Sequence, residues 1–242
     1  MKYMGNKRKI AKDILAVMDV KETDVFVDMF CGSLSVTQVA NTKDIIANDL
    51  NKYLIAMWEG ILAGEQYPQE ITREFYSEVR NAYNCARSGK NYEQYLYSDG
   101  LIGWVGFMGS YNGRFYDGGY SGHNVNGRDY IGEQIRNTLG QVDMLSTKRI
   151  TFCSSDYEKV KFPDGAVVYC DIPYRNTKQY GNSTNFDYDR FYNWCHSIKD
   201  RCRLFVSEYS MPDDFKCIWQ KEVTNAMSTK NTYRPIEKLF VL

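Results

Sequence analysis

Hydrophobic positions recur along this chain on two periods, and each change of period marks a new element. Five basic residues (Lys2, Lys7, Arg8, Lys9 and Lys12) precede any acid, and apolar side chains then fall at Ile10, Ile14, Leu15 and Met18, the spacing of one helix face. A short apolar run over residues 25–29 reads as a buried strand. It leads into a tight turn through Cys31, Gly32 and Ser33, with a helix predicted to open near Leu34. "DIIANDLN" is a second strand ending at Asn48 and Asp49, and a helix is predicted from 51 to about 62. Strand, helix, strand, acid, helix is how a doubly wound nucleotide-binding sheet begins.

From 64 to 150 the pattern changes. "EITREFYSEVRNAYNCARSG" has helical spacing, and the segment looks helical through residue 97. In "GWVGFMGSYNGRFYDGGYSGHNVNGRDY" glycine, asparagine and aromatic residues crowd out any period, which predicts loops and hairpins. Strand patterns resume in "RITFCSSDY", "AVVYCDIPY", "CRLFVSEY" and "IEKLFVL". The expected fold is therefore α/β. Residues 1–63 and 151–242 form one sheet domain, interrupted over 64–150 by a mainly helical and hairpin insert.

Composition narrows the chemistry. Thirty basic and thirty acidic residues balance, so no global charge advertises nucleic acid or membrane, and local charge has to be read instead. Seven cysteines without a C-x-x-C pair or a signal peptide suggest a reduced, cytoplasmic protein. Two histidines argue against zinc and against histidine acid–base catalysis, and no apolar run reaches the length of a membrane span. Aromatic residues are concentrated: eleven of the thirty-six fall within 79–130.

Three strand ends carry candidate chemistry. In "DMFCGSLSV" a glycine after a strand lets a ligand approach the backbone, although such turns also serve packing alone. Asp49, at the second strand end, stands where ribose hydroxyls are held in dinucleotide sites. No G-x-G-x-x-G accompanies it, so a nucleoside without pyrophosphate is indicated, a description that S-adenosylmethionine meets. In "SSDY", Asp156 could read an adenine edge or could cap the following turn. In "DIPY", Asp171 and the carbonyl of Ile172 offer two acceptors to the protons of an aromatic amine. Pro173 stiffens that turn, and Tyr174 is expected to present an exposed face to a flipped base.

Taken in order, "YMGNK", "DMFCGSLSV", "AND", the insert and "DIPY" resemble the adenine-specific DNA methyltransferases of the Dam type, and more closely their phage and prophage relatives. The resemblance covers nearly the whole chain. It implies a Rossmann-like, S-adenosylmethionine-dependent methyltransferase sheet with an inserted target-recognition region, acting on double-stranded DNA. It also implies that Tyr3 and Lys7 hold the cofactor, with Phe30 and Gly32 lining its methionine portion, Asp49 its ribose, and Asp156 and Tyr157 its adenine. Asp171, Ile172, Pro173 and Tyr174 would form the catalytic turn, Asp171 also bordering the cofactor. Asn112, Arg114 and Tyr116 in the insert would contact DNA, whereas Trp104 and Phe107 are expected in the core. Two departures stand out: Ile172 replaces the first proline of the motif, and Leu34 replaces a second glycine. Methylation of cytosine's amine or of RNA adenine, and a non-catalytic DNA-binding relative, are the alternatives.

Overall fold

The computed structural model describes residues 1–88, 97–123, 125–175, 186–223 and 235–242. Its strands are β1 (Val25–Asp28), β2 (Asp44–Asn48), β3 (Arg149–Cys153), β4 (Val167–Asp171), β5 (Arg203–Glu208), β6 (Lys216–Glu222) and β7 (Ile236–Val241). They make one sheet in the order β3-β2-β1-β4-β5-β7-β6. The strands from β3 to β5 are parallel, and β7 runs antiparallel to both β5 and β6. This is the expected Rossmann-like α/β sheet. From β1 the chain goes first to β2 on one side and later to β4 on the other, so the strand order reverses between β1 and β4. A crevice opens outside the carboxyl ends of the strands at such a point.

The helices are α1 (Ala11–Met18), α2 (Lys52–Leu62), α3 (Arg73–Arg87), α4 (Asp99–Gly109), α5 (Tyr130–Leu139), α6 (Val142–Leu145) and α7 (Tyr188–Ile198). Both sheet faces are covered, which is why the central strands read as continuous apolar runs. Phe26, Ile45, Tyr169 and Phe205 pack on the side of α1, α2 and the insert helices. Val27, Val168, Cys170 and Val206 pack on the side of α7. The insert shares the first of these cores, with Trp104, Val105 and Met108 of α4 fully buried there.

Two predicted elements are corrected. The stretch beginning "GWVGFMG" is not loop but α4, buried along most of its length. Its glycines fall at 100, 103, 106 and 109, and this spacing lets α4 approach its neighbours closely. A Cβ on Gly103 would overlap the Tyr53 carbonyl of α2, and one on Gly109 would press on the Tyr76 ring at 2.8 Å. No α-helix opens near Leu34; the chain makes only a 3-10 turn, Thr37–Val39. Gly32 at φ 46° and Leu34 at φ 54° are both left-handed, so a right-handed helix cannot start between them. The helix expected through residue 97 ends at Arg87, and residues 89–96 lie outside the described part of the chain. Strand β6 and helix α7 were not anticipated. No described helix is long and apolar enough to cross a membrane.

Candidate active site

The crevice is assembled from the ends of β1, β2, β3, β4 and β5, with the amino-terminal segment laid across it. Asn48, last residue of β2, ties three of these ends together. Its amide donates to the carbonyls of Met29 and Ser155 at 3.1 Å each, its side-chain oxygen accepts Ser155 N–H at 3.1 Å, and its own carbonyl accepts Cys31 N–H at 2.8 Å. Beside it, Asp49 accepts Gly32 N–H at 3.2 Å and Asn51 N–H at 2.9 Å. Asn51 then caps α2 by accepting from Tyr53 and Leu54. Burial holds the Asp49 carboxyl above the ordinary range, and the two backbone donors pull it back only in part.

Tyr3 lies directly on Gly32: a Cβ at that glycine would come within 2.7 Å of the tyrosine ring. The segment bearing Tyr3 is fixed from the insert side, where the Lys2 backbone exchanges hydrogen bonds with the Gln134 side chain at 2.8 and 2.9 Å. Four residues on, Lys7 is 4% exposed. Its ammonium donates to the Gly5 carbonyl at 3.0 Å, pairs with Asp171 at 2.8 Å, and lies 4.6 Å from the Tyr174 ring centroid. Lys7 therefore joins the amino-terminal segment to the Asp171–Tyr174 turn. Burial raises the Asp171 carboxyl to about 6 despite this cation.

The turn itself is pinned from outside. Tyr188, on α7, donates its hydroxyl to the Pro173 carbonyl at 2.8 Å. Glu208, at the end of β5, accepts the backbone N–H groups of Arg175, Tyr209 and Ser210. Ile172 is buried among apolar residues on the α7 side. Tyr174, expected to be exposed, is instead buried. Its ring meets Tyr209 edge-on at 4.5 Å and its hydroxyl donates to Glu237 at 2.6 Å, so no open face awaits a base in this conformation. Glu237, Glu208, Tyr188 and the buried Asp28 were missed as site residues. Asp28 accepts the Thr37 hydroxyl at 2.7 Å, and burial raises its carboxyl to about 7. Asp28 opens the D-x-F-x-G motif and could have been found there. The acid at the start of a late strand carries no local signal.

At the third strand end the structure shows Asp156 as a cap and as half of an ion pair. It caps the 3-10 turn by accepting Glu158 N–H at 3.1 Å, and it receives both Arg190 guanidinium nitrogens at 2.9 Å. Burial would raise its carboxyl, but these donors hold it below the ordinary range. Tyr157 packs against Phe30 at 5.9 Å and Trp194 at 5.0 Å. Its hydroxyl is buried without a hydrogen-bond partner among the described residues.

Among the insert's predicted DNA-contact residues, one departs from expectation. Tyr116 is 3% exposed, stacks on Tyr83 and donates its hydroxyl to the Ile102 carbonyl at 2.9 Å; it is core rather than a surface contact. The aromatic that this loop exposes is Tyr111, at 51%. Asn112 is half-buried in the left-handed region at φ 54°. Arg114 pairs with Asp117 at 3.1 Å. Trp104 and Phe107 are buried, as expected.

The family model for D12 class N6 adenine-specific DNA methyltransferases matches residues 3–234. Over 263 aligned residues the chain is 26% identical to the type II methyltransferase M.FokI of Planomicrobium okeanokoites, with all of this chain covered. The chain spans 37% of the length of that relative. Among solved structures, the rRNA methyltransferase aviRa of Streptomyces viridochromogenes aligns with a TM-score of 0.42 and 12% identity, over 97% of this chain and 84% of that one.

Proposed function

The chain belongs to the D12 class N6 adenine-specific DNA methyltransferase family, and from that premise we propose that it methylates the exocyclic amine of adenine in duplex DNA, using S-adenosylmethionine. One observation carries the reading. The ion pair of buried Lys7 with half-buried Asp171, 2.8 Å apart, stands at the strand-order reversal, next to the turn that Gly32 and Asp49 build.

The residues present fit the cofactor. A carboxylate held by two backbone donors (Asp49) suits a ribose diol. A glycine under an aromatic ring (Gly32 and Tyr3) admits a chain close to the backbone. The unpartnered Tyr157 hydroxyl beside Phe30 is a polar group awaiting a ligand in an aromatic pocket. Asp156 would meet the adenine edge, and Lys7 is the buried cation on this edge for the carboxylate. When bound, S-adenosylmethionine supplies an electrophilic methyl group on a sulfonium centre.

The chain's own contribution is to hold the adenine amine by both of its protons. Conjugation with the ring ties up the amine lone pair. Acceptors on both amine protons draw the nitrogen toward tetrahedral geometry and free that pair. Asp171 is one acceptor and the Ile172 carbonyl the other. The Pro173 carbonyl is engaged by Tyr188, so the turn is held in place by the scaffold as well as by its proline. Tyr174 would serve as the face for the flipped base after its ring is uncovered. The insert would read sequence through Asn112 and Arg114, with Tyr111 as the exposed aromatic.

The test is nucleoside mass spectrometry of a duplex incubated with enzyme and S-adenosylmethionine. N6-methyladenine is expected with the wild type and none with Asp171→Ala, which should still bind duplex. Methylcytosine as the product, or methyladenine at wild-type yield from Asp171→Ala, would refute the reading. Because Asp171 must be ionised to accept, kcat/KM should fall as pH drops through about 6.

A further inference from the structure

Glu237 reaches the catalytic turn from β7, about 65 residues further along the chain than the motif it touches. Its carboxylate accepts the Tyr174 hydroxyl at 2.6 Å and lies 3.8 Å from the Lys7 ammonium. Lys7 is itself 2.8 Å from Asp171 and over the Tyr174 ring. One cation is thus shared by two carboxylates, and the phenol closes the ring of contacts. A second acid in a buried site is costly to keep when an amide of the same shape could accept the phenol. Its charge therefore calls for a reason beyond packing.

Resting on the reading above, we propose that Glu237 is a positioning residue for methyl transfer: it anchors the Tyr174 ring and draws Lys7 partly away from Asp171, keeping the Asp171 carboxylate available to the adenine amine. The alternative arrangement shows why the charge matters. With an amide at 237, Lys7 would have Asp171 as its sole carboxylate partner among the described residues, and a fully neutralised Asp171 is a poorer acceptor. The groups facing Asp171 are Lys7 and Tyr3 from the amino-terminal segment, Asp28 from β1, Tyr169 and Cys170 from β4, Tyr174 from the turn and Glu237 from β7. Burial is the largest influence on the Asp171 carboxyl and raises it; of these groups, Lys7 and a hydrogen bond from Tyr174 lower it and Glu237 raises it.

The experiment is steady-state methylation across pH with wild type, Glu237→Gln, Glu237→Asp and Tyr174→Phe, with thermal midpoints measured alongside. Glu237→Gln should lose about tenfold to a hundredfold in kcat, as expected for a misplaced reacting group, with KM for the cofactor nearly unchanged. The acid limb of its kcat/KM profile should move to lower pH, and Glu237→Asp should return the limb toward the wild-type position. Wild-type kcat in Glu237→Gln would overturn the proposal, as would a loss of kcat with the acid limb unmoved. If Glu237→Gln does not fold, Tyr174→Phe decides, because it removes the hydrogen bond to Glu237, together with the one Tyr174 gives Asp171, and leaves the Glu237 charge. A kcat loss at an unchanged thermal midpoint then supports the assignment, and wild-type kcat overturns it. A wild type inactive on adenine would overturn the functional reading and this inference together; an active wild type with unaffected variants would overturn this inference alone.

Discussion

Arg114 stands in the insert with one guanidinium nitrogen 3.1 Å from Asp117, on a side chain 27% exposed. To pair bidentately with a guanine edge it would have to exchange that neighbour for the base, and the two readings of the residue then differ in a measurable way. As a base reader, Arg114→Ala should relax preference at one base pair, with about 1–3 kcal/mol of discrimination lost there. As a phosphate contact, it should weaken all duplexes alike and flatten their salt dependence. Methylation of a cognate site against singly substituted sites at fixed salt separates them, and no change in either respect would place the reader elsewhere. Other residues differ in how far the sequence disclosed them. Lys7, Asp49 and Asp171 were legible because motif order brings distant charges to one sheet edge. Tyr116 and Tyr111 stand in the same aromatic run, and only the packing around Tyr83 decides which one is buried. Leu34, read as a lost glycine, retains the backbone that glycine favours, at φ 54° with its side chain fully buried. The strain of about 1–2 kcal/mol is offset by burying a leucine, worth roughly 1.5–3 kcal/mol.

At the scale of elements, the strands were legible and the insert was not, for one reason. Strands of a doubly covered sheet announce themselves as short apolar runs, whereas glycine ordinarily signals a break in a helix. In α4 the glycines are instead where other groups approach the helix: the Tyr53 carbonyl at Gly103, the Phe115 and Tyr116 rings at Gly106, and Tyr76 at Gly109. Each glycine costs the helix up to about 1 kcal/mol against alanine in propensity, so the contact must repay that loss. Gly103→Ala follows as a test. Its Cβ would meet backbone rather than a side chain that could rotate away, and α2 and α4 would have to separate. A destabilisation of about 1–3 kcal/mol is expected despite alanine's better propensity. Urea unfolding measures it, and an increase in stability would show that α4 has room to spare. The helix predicted near Leu34 fails for the opposite reason: the residue types permit it, but the turn that brings Gly32 to Asp49 uses two left-handed residues.

Across the whole molecule, the carboxyl groups shifted upward share one location. Asp28, Asp49, Asp171 and Glu208 all lie at the carboxyl ends of parallel strands, and burial is the leading cause for each. Those shifted downward are held by partners: Asp44 by Arg149, Glu133 by Arg128, and Asp129 and Asp156 by donors that outweigh their burial. The two groups pull stability in opposite directions along the pH axis. A carboxyl raised in the folded state contributes stability that is complete below the unfolded value of about 4 and is lost as pH rises through the folded value. For Asp171 and Asp28 those folded values are about 6 and about 7. The lowered carboxyls lose their contribution only in stronger acid, Glu133 as pH falls through about 2. Between about pH 7 and 4 the raised carboxyls outnumber the Met1 amine, which burial lowers to about 5 and which pulls the other way, so the protein should become more stable on acidification while its activity declines. The thermal midpoint without cofactor is expected to be higher at about pH 5 than at about pH 8, and turnover lower. Asp28→Asn removes the highest of these shifts without changing the side chain's size, so it should flatten the rise in midpoint. A wild-type midpoint that is flat or falls over this range would mean that the crevice carboxylates are not desolvated.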